Sequence, residues 1–217
     1  MLVIFRQLRG PKPELPGGFL TRTVALELAE SPEEAKAILG QPSSNVRKKM
    51  RGELKWDFVF IAAYWLLFIT LGTLLAQRGF LGALLAATVA ICITAAAQMD
   101  FLENLRLYTL LDTPSNAPET EVQRRIDDVR EAARFKFGLI FVATAALSPV
   151  FLWRAAWWLF GIGVLYLLIA AVGLFGLWQH RAAVEWAFLL MVFGVLAIAA
   201  VFNFIPRESL MSVWAGS

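Results

Sequence analysis

The chain has one cysteine and one histidine in 217 residues, and these shortages exclude several kinds of site. A single cysteine, Cys92, cannot form an intrachain disulfide, and its place inside an apolar run is typical of a small packing residue. A single histidine, His180, excludes a zinc site built from several histidines. A serine–histidine or serine–lysine dyad is not evident either.

Charged residues are missing from the interior of five long apolar runs. The chain is 59% hydrophobic with a mean hydropathy of +0.63, which is too apolar for an ordinary soluble domain. A helix crosses a bilayer with about 17–25 apolar residues. We therefore predict an all-α fold, a polytopic membrane helix bundle with five transmembrane helices at about 58–76, 80–99, 137–153, 156–178 and 186–204.

The lysines and arginines are distributed unequally between the two sides that five spans create. Segments 1–57, 100–136 and 179–185 hold ten, six and one of them, whereas the opposite side has only Arg78, Arg154 and Arg207. This asymmetry predicts a cytoplasmic N-terminus and an external C-terminus. Residues 1–56 are then a cytoplasmic segment, 57–204 the bundle with a cytoplasmic helix at 119–136, and 205–217 an external tail. The apolar start is too short for a signal peptide, so the first span would serve as its own insertion signal.

A basic cluster, NVRKKMRGELKW, directly precedes the first span. We expect Arg47, Lys48, Lys49 and Arg51 to contact lipid headgroups, since each such charge near an anionic surface contributes about 1 kcal/mol. Membrane lipids are therefore the expected partners, together with other membrane proteins. Nucleic acid is not expected as a partner.

Two segments outside the spans carry helix signals. Ser31 is suited to cap a helix that begins at Pro32, Glu34 completes a capping box, and Gly40 ends the helix. The preceding TVALELAE fits a short strand or a helix. In EVQRRIDDVREAARFK, ion pairs at helical spacing and an apolar stripe predict a helix that continues into the third span. The pairs are Glu121–Arg125 and Asp127–Arg130, and the stripe is Val122, Ile126, Val129 and Ala133.

A short internal similarity links the starts of the first and third spans. KWDFVFIA at 55–62 and KFGLIFVA at 136–143 match at their lysine, phenylalanine and alanine positions. In both, a basic helix enters an apolar span. Two hairpin repeats followed by a fifth helix, as in some transporters, would account for the similarity.

Polar residues gather at the end of the second span, in AAAQMDFLENLRL. Asp100, Glu103 and Asn104 share one helix face with Ala96 and Ala97, and small residues indicate close helix contact. This face therefore points into the bundle. The groups expected at the same depth are Asp57, His180 and Glu185, which with the first three form the candidate polar cluster.

Four interpretations of this cluster stay open from the sequence. Its oxygens could hold Mg²⁺, a carboxylate could act with His180 in acid–base catalysis, or the acids could relay protons. The fourth interpretation is structural, with Asp100 and Glu103 paired to Arg106, Arg130 or Arg134. One acidic motif, one histidine and an apolar bundle interior favour the structural interpretation, and no catalytic residue or metal ligand is assigned.

The stretch from LAESPEEAKAILG to AAQMDFLENLRL resembles a group of uncharacterised bacterial multi-span membrane proteins that carry D-x-x-E-N at the end of the second span. The resemblance implies a bacterial inner-membrane location and brings no activity. A non-enzymatic accessory or scaffold subunit of a membrane complex is the favoured function. The alternative is a small lipid-modifying enzyme or transporter that uses the polar cluster. No cofactor is predicted, although Tyr64, Trp65 or Trp158 could contact a pigment or quinone.

Overall fold

The computed structural model describes residues 15–40, 45–114, 116–152 and 157–204, and side chains throughout these ranges except at 157–159 and 195–204. This part of the chain contains helices and no strand, which confirms the all-α class. After a 3-10 turn at Pro16–Gly18 come eight α-helices: α1 (Arg22–Glu27), α2 (Pro32–Leu39), α3 (Asn45–Ala76), α4 (Gly79–Leu111), α5 (Glu119–Leu147), α6 (Pro149–Leu152), α7 (Trp157–Gln179) and α8 (Arg181–Phe204).

Four helical segments within the described residues are long and apolar enough to cross a membrane: Asn45–Ala76, Gly79–Leu111, Glu119–Leu152 and Phe160–Gln179. They coincide with the first four predicted spans. The fifth predicted span lies on α8, where the side chains from 195 onward are outside the described part. The fifth span, the tail 205–217 and the orientation of the chain therefore stay predictions.

The chain divides into two compact units, and α3, α4 and α5 each contribute to both. The first unit comprises residues 1–67 and 94–139. It contains α1 and α2, which pack against each other. Arg22 Nη1 donates to the carbonyl oxygen of Ile38 over 3.0 Å and links the two helices. TVALELAE is thus helical, and the strand alternative is wrong because Ala25, Leu26 and Leu28 all become buried when the segment is a helix.

The ends of α2 follow the sequence signals. Ser31 Oγ accepts a hydrogen bond from the Glu34 main-chain N–H at 3.2 Å, and Glu34 Oε2 accepts one from the Glu30 N–H at 2.8 Å. Gly40 terminates the helix with φ 66°, a conformation that glycine adopts without strain. The predicted cap, helix start and helix end are confirmed.

The predicted charged helix is the first half of α5. Its intrahelical ion pairs are present, with 2.6 Å between Arg125 Nη2 and Glu121 Oε1 and 2.6 Å between Arg130 Nη2 and Asp127 Oδ1. The stripe residues Ile126, Val129 and Ala133 are almost fully buried, and Val122 is partly exposed. The helix continues without a break into the third span, as predicted.

The second unit comprises residues 68–93 and 140–217 and is held together by close apolar packing. In this unit α7 packs against both α6 and α8. Gly173 of α7 lies so close to the ring of Phe141 that an added Cβ would overlap with it. Ser148 separates α5 from α6, and its hydroxyl donates a hydrogen bond to the Ala145 carbonyl oxygen at 2.8 Å. Pro149 has no main-chain N–H and therefore cannot donate to this carbonyl oxygen.

Candidate functional site

A buried lysine in the first unit is surrounded by three carboxylates. Lys136 Nζ lies 3.2 Å from Glu27 Oε2, 3.2 Å from Asp100 Oδ1 and 2.7 Å from Glu103 Oε2. Glu27 Oε2 and Asp100 Oδ1 accept hydrogen bonds from this ammonium group, whereas the contact with Glu103 Oε2 is an ion pair only. We call Glu27, Asp100, Glu103 and Lys136 the Lys136 cluster.

Three helices bring this cluster together. Glu27 ends α1, Lys136 lies on α5, and Asp100 and Glu103 are three residues apart on one face of α4. Lys136 follows Val129 by seven residues, so it continues the buried stripe of α5. The helix periodicity that buries the stripe therefore also buries the lysine.

A second layer of hydrogen bonds joins α3 to the same site. Tyr64 Oη of α3 donates to Asp100 Oδ2 at 3.0 Å. Asn104 Nδ2 of α4 donates to Asp57 Oδ2 of α3 at 2.8 Å. Asp100 is thus bonded from two sides, by Lys136 and by Tyr64, and its orientation is well defined.

The Lys136 cluster is closed to solvent and rich in negative charge. The exposed fractions are 5% for Glu27, 4% for Asp100, 0% for Glu103 and 5% for Lys136. Three carboxylates share one ammonium, and neither carboxylate oxygen of Glu103 accepts a hydrogen bond from any residue that the structure describes. Chemically, such a site can fix helices together, and its excess of carboxylate oxygens gives it the capacity to hold a proton.

The structure brings together four of the six residues proposed from the sequence. Asp57, Asp100, Glu103 and Asn104 all belong to the polar network around Lys136. His180 and Glu185 belong to the second unit. There His180 is exposed and lies beside the Phe175 ring, with 6.1 Å between the ring centroids, and Glu185 is buried.

The proposed pairing of the α4 acids with arginines is wrong. Arg106 Nη1 donates to the Asp128 carbonyl oxygen at 2.5 Å, Arg130 pairs with Asp127, and Arg134 is exposed. An arginine on the hydrated face of α5 cannot reach the buried face where Asp100 and Glu103 lie. Lys136 takes that role because it lies on the buried stripe.

Three members of the network are absent from the sequence-based site: Glu27, Tyr64 and Lys136. Lys136 carried a usable signal, since a lysine at the i+7 position of an apolar stripe is a charge placed on a buried face. Tyr64 falls within an apolar run, and its hydroxyl could not be assigned a partner from sequence alone. Glu27 is 109 positions from Lys136, and nothing local indicates that contact.

The basic residues before the first span differ in whether another residue of the chain already binds them. Arg47 Nη1 donates to the Leu111 carbonyl oxygen at 3.0 Å, Arg51 forms an ion pair with Asp112, and Lys49 Nζ lies 3.8 Å from Glu53 Oε1. Lys48 is exposed and has no ion-pair partner within the described residues. The expected headgroup contact of all four residues stays a prediction.

Two surface grooves occur in the first unit. One, of about 720 Å³, lies between α3 and α4, and its lining includes Phe101 and Met99 but not their neighbour Asp100. The other, of about 510 Å³, lies at the starts of α2 and α5 and is bordered by Glu33, Glu119, Asp127 and Asp128. Arg124 also lines this groove, and a hydrogen bond from Ser31 lowers the pKa of the Glu33 carboxyl.

Within the described ranges, no three His, Cys, Asp or Glu side chains are arranged to hold a metal ion. No protein-family model, curated protein or solved structure matches this chain. The resemblance based on D-x-x-E-N stays a prediction, and the site has to be interpreted from its own geometry.

Proposed function

We propose that the protein is an accessory or scaffold subunit of a membrane complex, and that the Lys136 cluster fastens its N-terminal helices to its membrane helices. The observation that supports this most is the contact of Lys136 with Glu27 of α1 as well as with Asp100 and Glu103 of α4. A buried ion pair contributes positional specificity more than net stability. Such a contact suits a protein whose N-terminal helices must be held in one position.

The closed state of the cluster also supports a scaffold over an enzyme. A catalytic carboxylate needs a substrate within hydrogen-bond distance, and therefore needs access. Each member of the Lys136 cluster is at most 5% exposed. The Lys136 ammonium is already in contact with three carboxylates of the protein. A filled polar contact between helices is what a packing role requires.

Co-purification from native membranes in a mild detergent tests the scaffold function. Glu27→Gln keeps the size of the side chain and removes its charge from the cluster, and Glu131→Gln is the matched control on the exposed face of α5. We expect a stoichiometric protein partner with the wild type and Glu131→Gln, and a weakened or lost partner with Glu27→Gln. A wild-type protein that purifies without a protein partner contradicts the proposal.

A lipid-modifying enzyme or transporter is the second candidate function. The observation in its favour is the surplus of carboxylates, with both oxygens of Glu103 lacking a hydrogen-bond donor among the described residues. A carboxyl group in this position could take up and release a proton during transport. Proton movement into liposomes that contain the wild type, and its loss in Glu103→Gln, would support this candidate over the scaffold.

The proposed setting is a bacterial inner membrane, crossed five times, with the N-terminus in the cytoplasm. Its support is the charge asymmetry of the sequence together with four helices of sufficient length. Since Cys92 is the single native cysteine, Cys92→Ala allows one new cysteine to be placed at Ser217. A membrane-impermeant maleimide should label Ser217→Cys on intact inner-membrane spheroplasts; labelling only after lysis contradicts five spans.

A further inference from the structure

The groove between α3 and α4 has an apolar lining with one edge on each helix. Its α3 edge consists of Phe58, Ile61, Ala62 and Trp65, which recur at helical spacing over about 10 Å of helix length. Its α4 edge consists of Thr94, Ala97, Gln98, Met99, Phe101 and Leu102. The Trp65 indole N–H donates to Thr94 Oγ1 at 3.0 Å, so this polar group is satisfied and the aromatic face is left to the groove.

Two lysines continue the outer edge of this groove toward the start of α3. Lys48, Lys55 and Ala62 are spaced by seven residues, a repeat that keeps side chains nearly in line along a helix. All three are exposed. The apolar groove is therefore followed, on the same side of α3, by two ammonium groups one and three turns before Phe58.

These two lysines differ from the other three basic residues directly before the first span, each of which is bonded to another part of the chain. Arg47, Lys49 and Arg51 are occupied by main-chain carbonyls, Glu53 and Asp112, respectively. Lys48 and Lys55 form no ion pair with any residue in the described ranges. Their charges are thus available to a ligand from outside the chain.

We propose that this surface binds one anionic phospholipid, with an acyl chain in the α3–α4 groove and the phosphate between Lys55 and Lys48. An apolar slot that ends beside paired cations matches a molecule with an apolar chain and an anionic head. The volume of about 720 Å³ accommodates a hydrocarbon chain. This inference does not depend on the scaffold function.

A lipid titration of the full-length protein in a mild detergent tests the site. Dioleoyl phosphatidylglycerol and dioleoyl phosphatidylcholine are the probes, and bound lipid is counted by native mass spectrometry. We expect Lys48→Gln/Lys55→Gln to weaken phosphatidylglycerol binding about 25-fold, which is about fivefold for each charge, and to leave phosphatidylcholine unchanged. Lys48→Arg/Lys55→Arg should restore binding.

Two further variants separate this site from general attraction to a charged surface. Lys49 lies about 100° around the axis of α3 from Lys48 and pairs with Glu53, so Lys49→Gln should leave binding unchanged. Ala62 is exposed at the groove edge, so Ala62→Trp should fill the groove and weaken both lipids without disturbing the core. Glycerol 3-phosphate should not compete, because it has no acyl chain.

Four results would overturn the inference: equal wild-type affinity for the two lipids, a loss in Lys49→Gln as large as in the double variant, unchanged binding by Ala62→Trp, or competition by glycerol 3-phosphate. Equal wild-type affinity for the two lipids would show that the lysines do not recognise the anionic headgroup. A loss in Lys49→Gln would leave only unspecific charge attraction. Competition by glycerol 3-phosphate would assign the lysines to a soluble phosphate instead of a lipid.

Discussion

Lys55 and Lys136 occupy the same position in two similar octapeptides, and the fold treats them in opposite ways. Lys136 is 5% exposed and is surrounded by three carboxylates, whereas Lys55 is exposed and has no ion-pair partner within the described residues. Each begins a span that continues with phenylalanine and alanine at matching positions. The difference shows that the environment of a charge at a span boundary is decided by the helices beside it and not by its own sequence.

The energetic consequence is as different as the geometry. A buried ammonium depends on its carboxylates, because removing one partner of a buried ion pair leaves an unpaired charge in a medium of low dielectric. An exposed ammonium is solvated, and its contribution to folding is small. Of two lysines in similar octapeptides, Lys136 can therefore stabilise the fold while Lys55 is free to bind a ligand.

Replacement of each lysine by methionine is the strongest test of this comparison. Lys136→Met leaves Glu27, Asp100 and Glu103 without their cation, and we expect a loss of about 3–5 kcal/mol in the free energy of unfolding. Lys55→Met should change it by less than about 0.5 kcal/mol. Denaturation in detergent micelles, followed by circular dichroism, measures both. Equal losses would contradict the distinction between the two lysines.

Two glycines of α7 allow a similar comparison between a closely packed position and an open one, without any charged group. Gly173 contacts the Phe141 ring, whereas Gly161 has no atom within 4 Å of the position of an added Cβ. We expect Gly173→Ala to be less stable than Gly161→Ala by about 1–3 kcal/mol, because the buried ring has to move. Thermal unfolding of the two variants in one detergent gives the difference. A Gly173→Ala variant as stable as Gly161→Ala would mean that the ring has room to adjust.

The two acids of α4 allow a finer test inside the Lys136 cluster. Asp100 accepts hydrogen bonds from both Lys136 and Tyr64, whereas neither oxygen of Glu103 accepts one within the described residues. We expect Asp100→Asn to destabilise the protein by about 1–2 kcal/mol more than Glu103→Gln, since charged hydrogen bonds contribute most. The midpoints of denaturation should differ in that order. The reverse order would show that Glu103 is the principal partner of Lys136.

The smallest effect is expected at the cap of α2, next to the helix that carries Glu27. Ser31→Ala removes the acceptor for the Glu34 N–H, at a cost of about 1 kcal/mol. Ser31→Asp keeps an acceptor at the same place and serves as the control. Hydrogen exchange at the Glu34 amide should be faster in Ser31→Ala than in Ser31→Asp. Equal rates would show that the cap does not limit opening of this helix.

Local signals were sufficient for much of the fold. The cap at Ser31 and the ion pairs Glu121–Arg125 and Asp127–Arg130 are all present, because each depends on residues within four positions of one another. The strand alternative for TVALELAE was wrong because six residues of alternating polarity also suit a helix when its neighbours bury one side. Burial by distant residues is not visible in so short a pattern.

Only part of the site could be predicted from the sequence. The face of Asp100, Glu103 and Asn104 follows from the helix period, and its contact with Asp57 agrees with the predicted depth. The structural interpretation pairs Asp100 and Glu103 with Arg106, Arg130 or Arg134, and it is wrong about the cation that completes the site. Lys136 is the cation of the cluster because it lies on the buried stripe of α5. Its position on the helix, and not its residue type, brings it to the acids.

By itself, the sequence determined which segments are apolar enough for a membrane and where several helices begin and end, since hydropathy and caps act over a few residues. Only the tertiary structure decided which charges are paired across distant parts of the chain. Glu27 and Lys136 meet across 109 positions, and Arg47 and Arg51 are occupied by a loop more than sixty residues away along the chain, at Leu111 and Asp112. Ion pairing depends on distance in space, and for these residues that distance is set by how the helices pack.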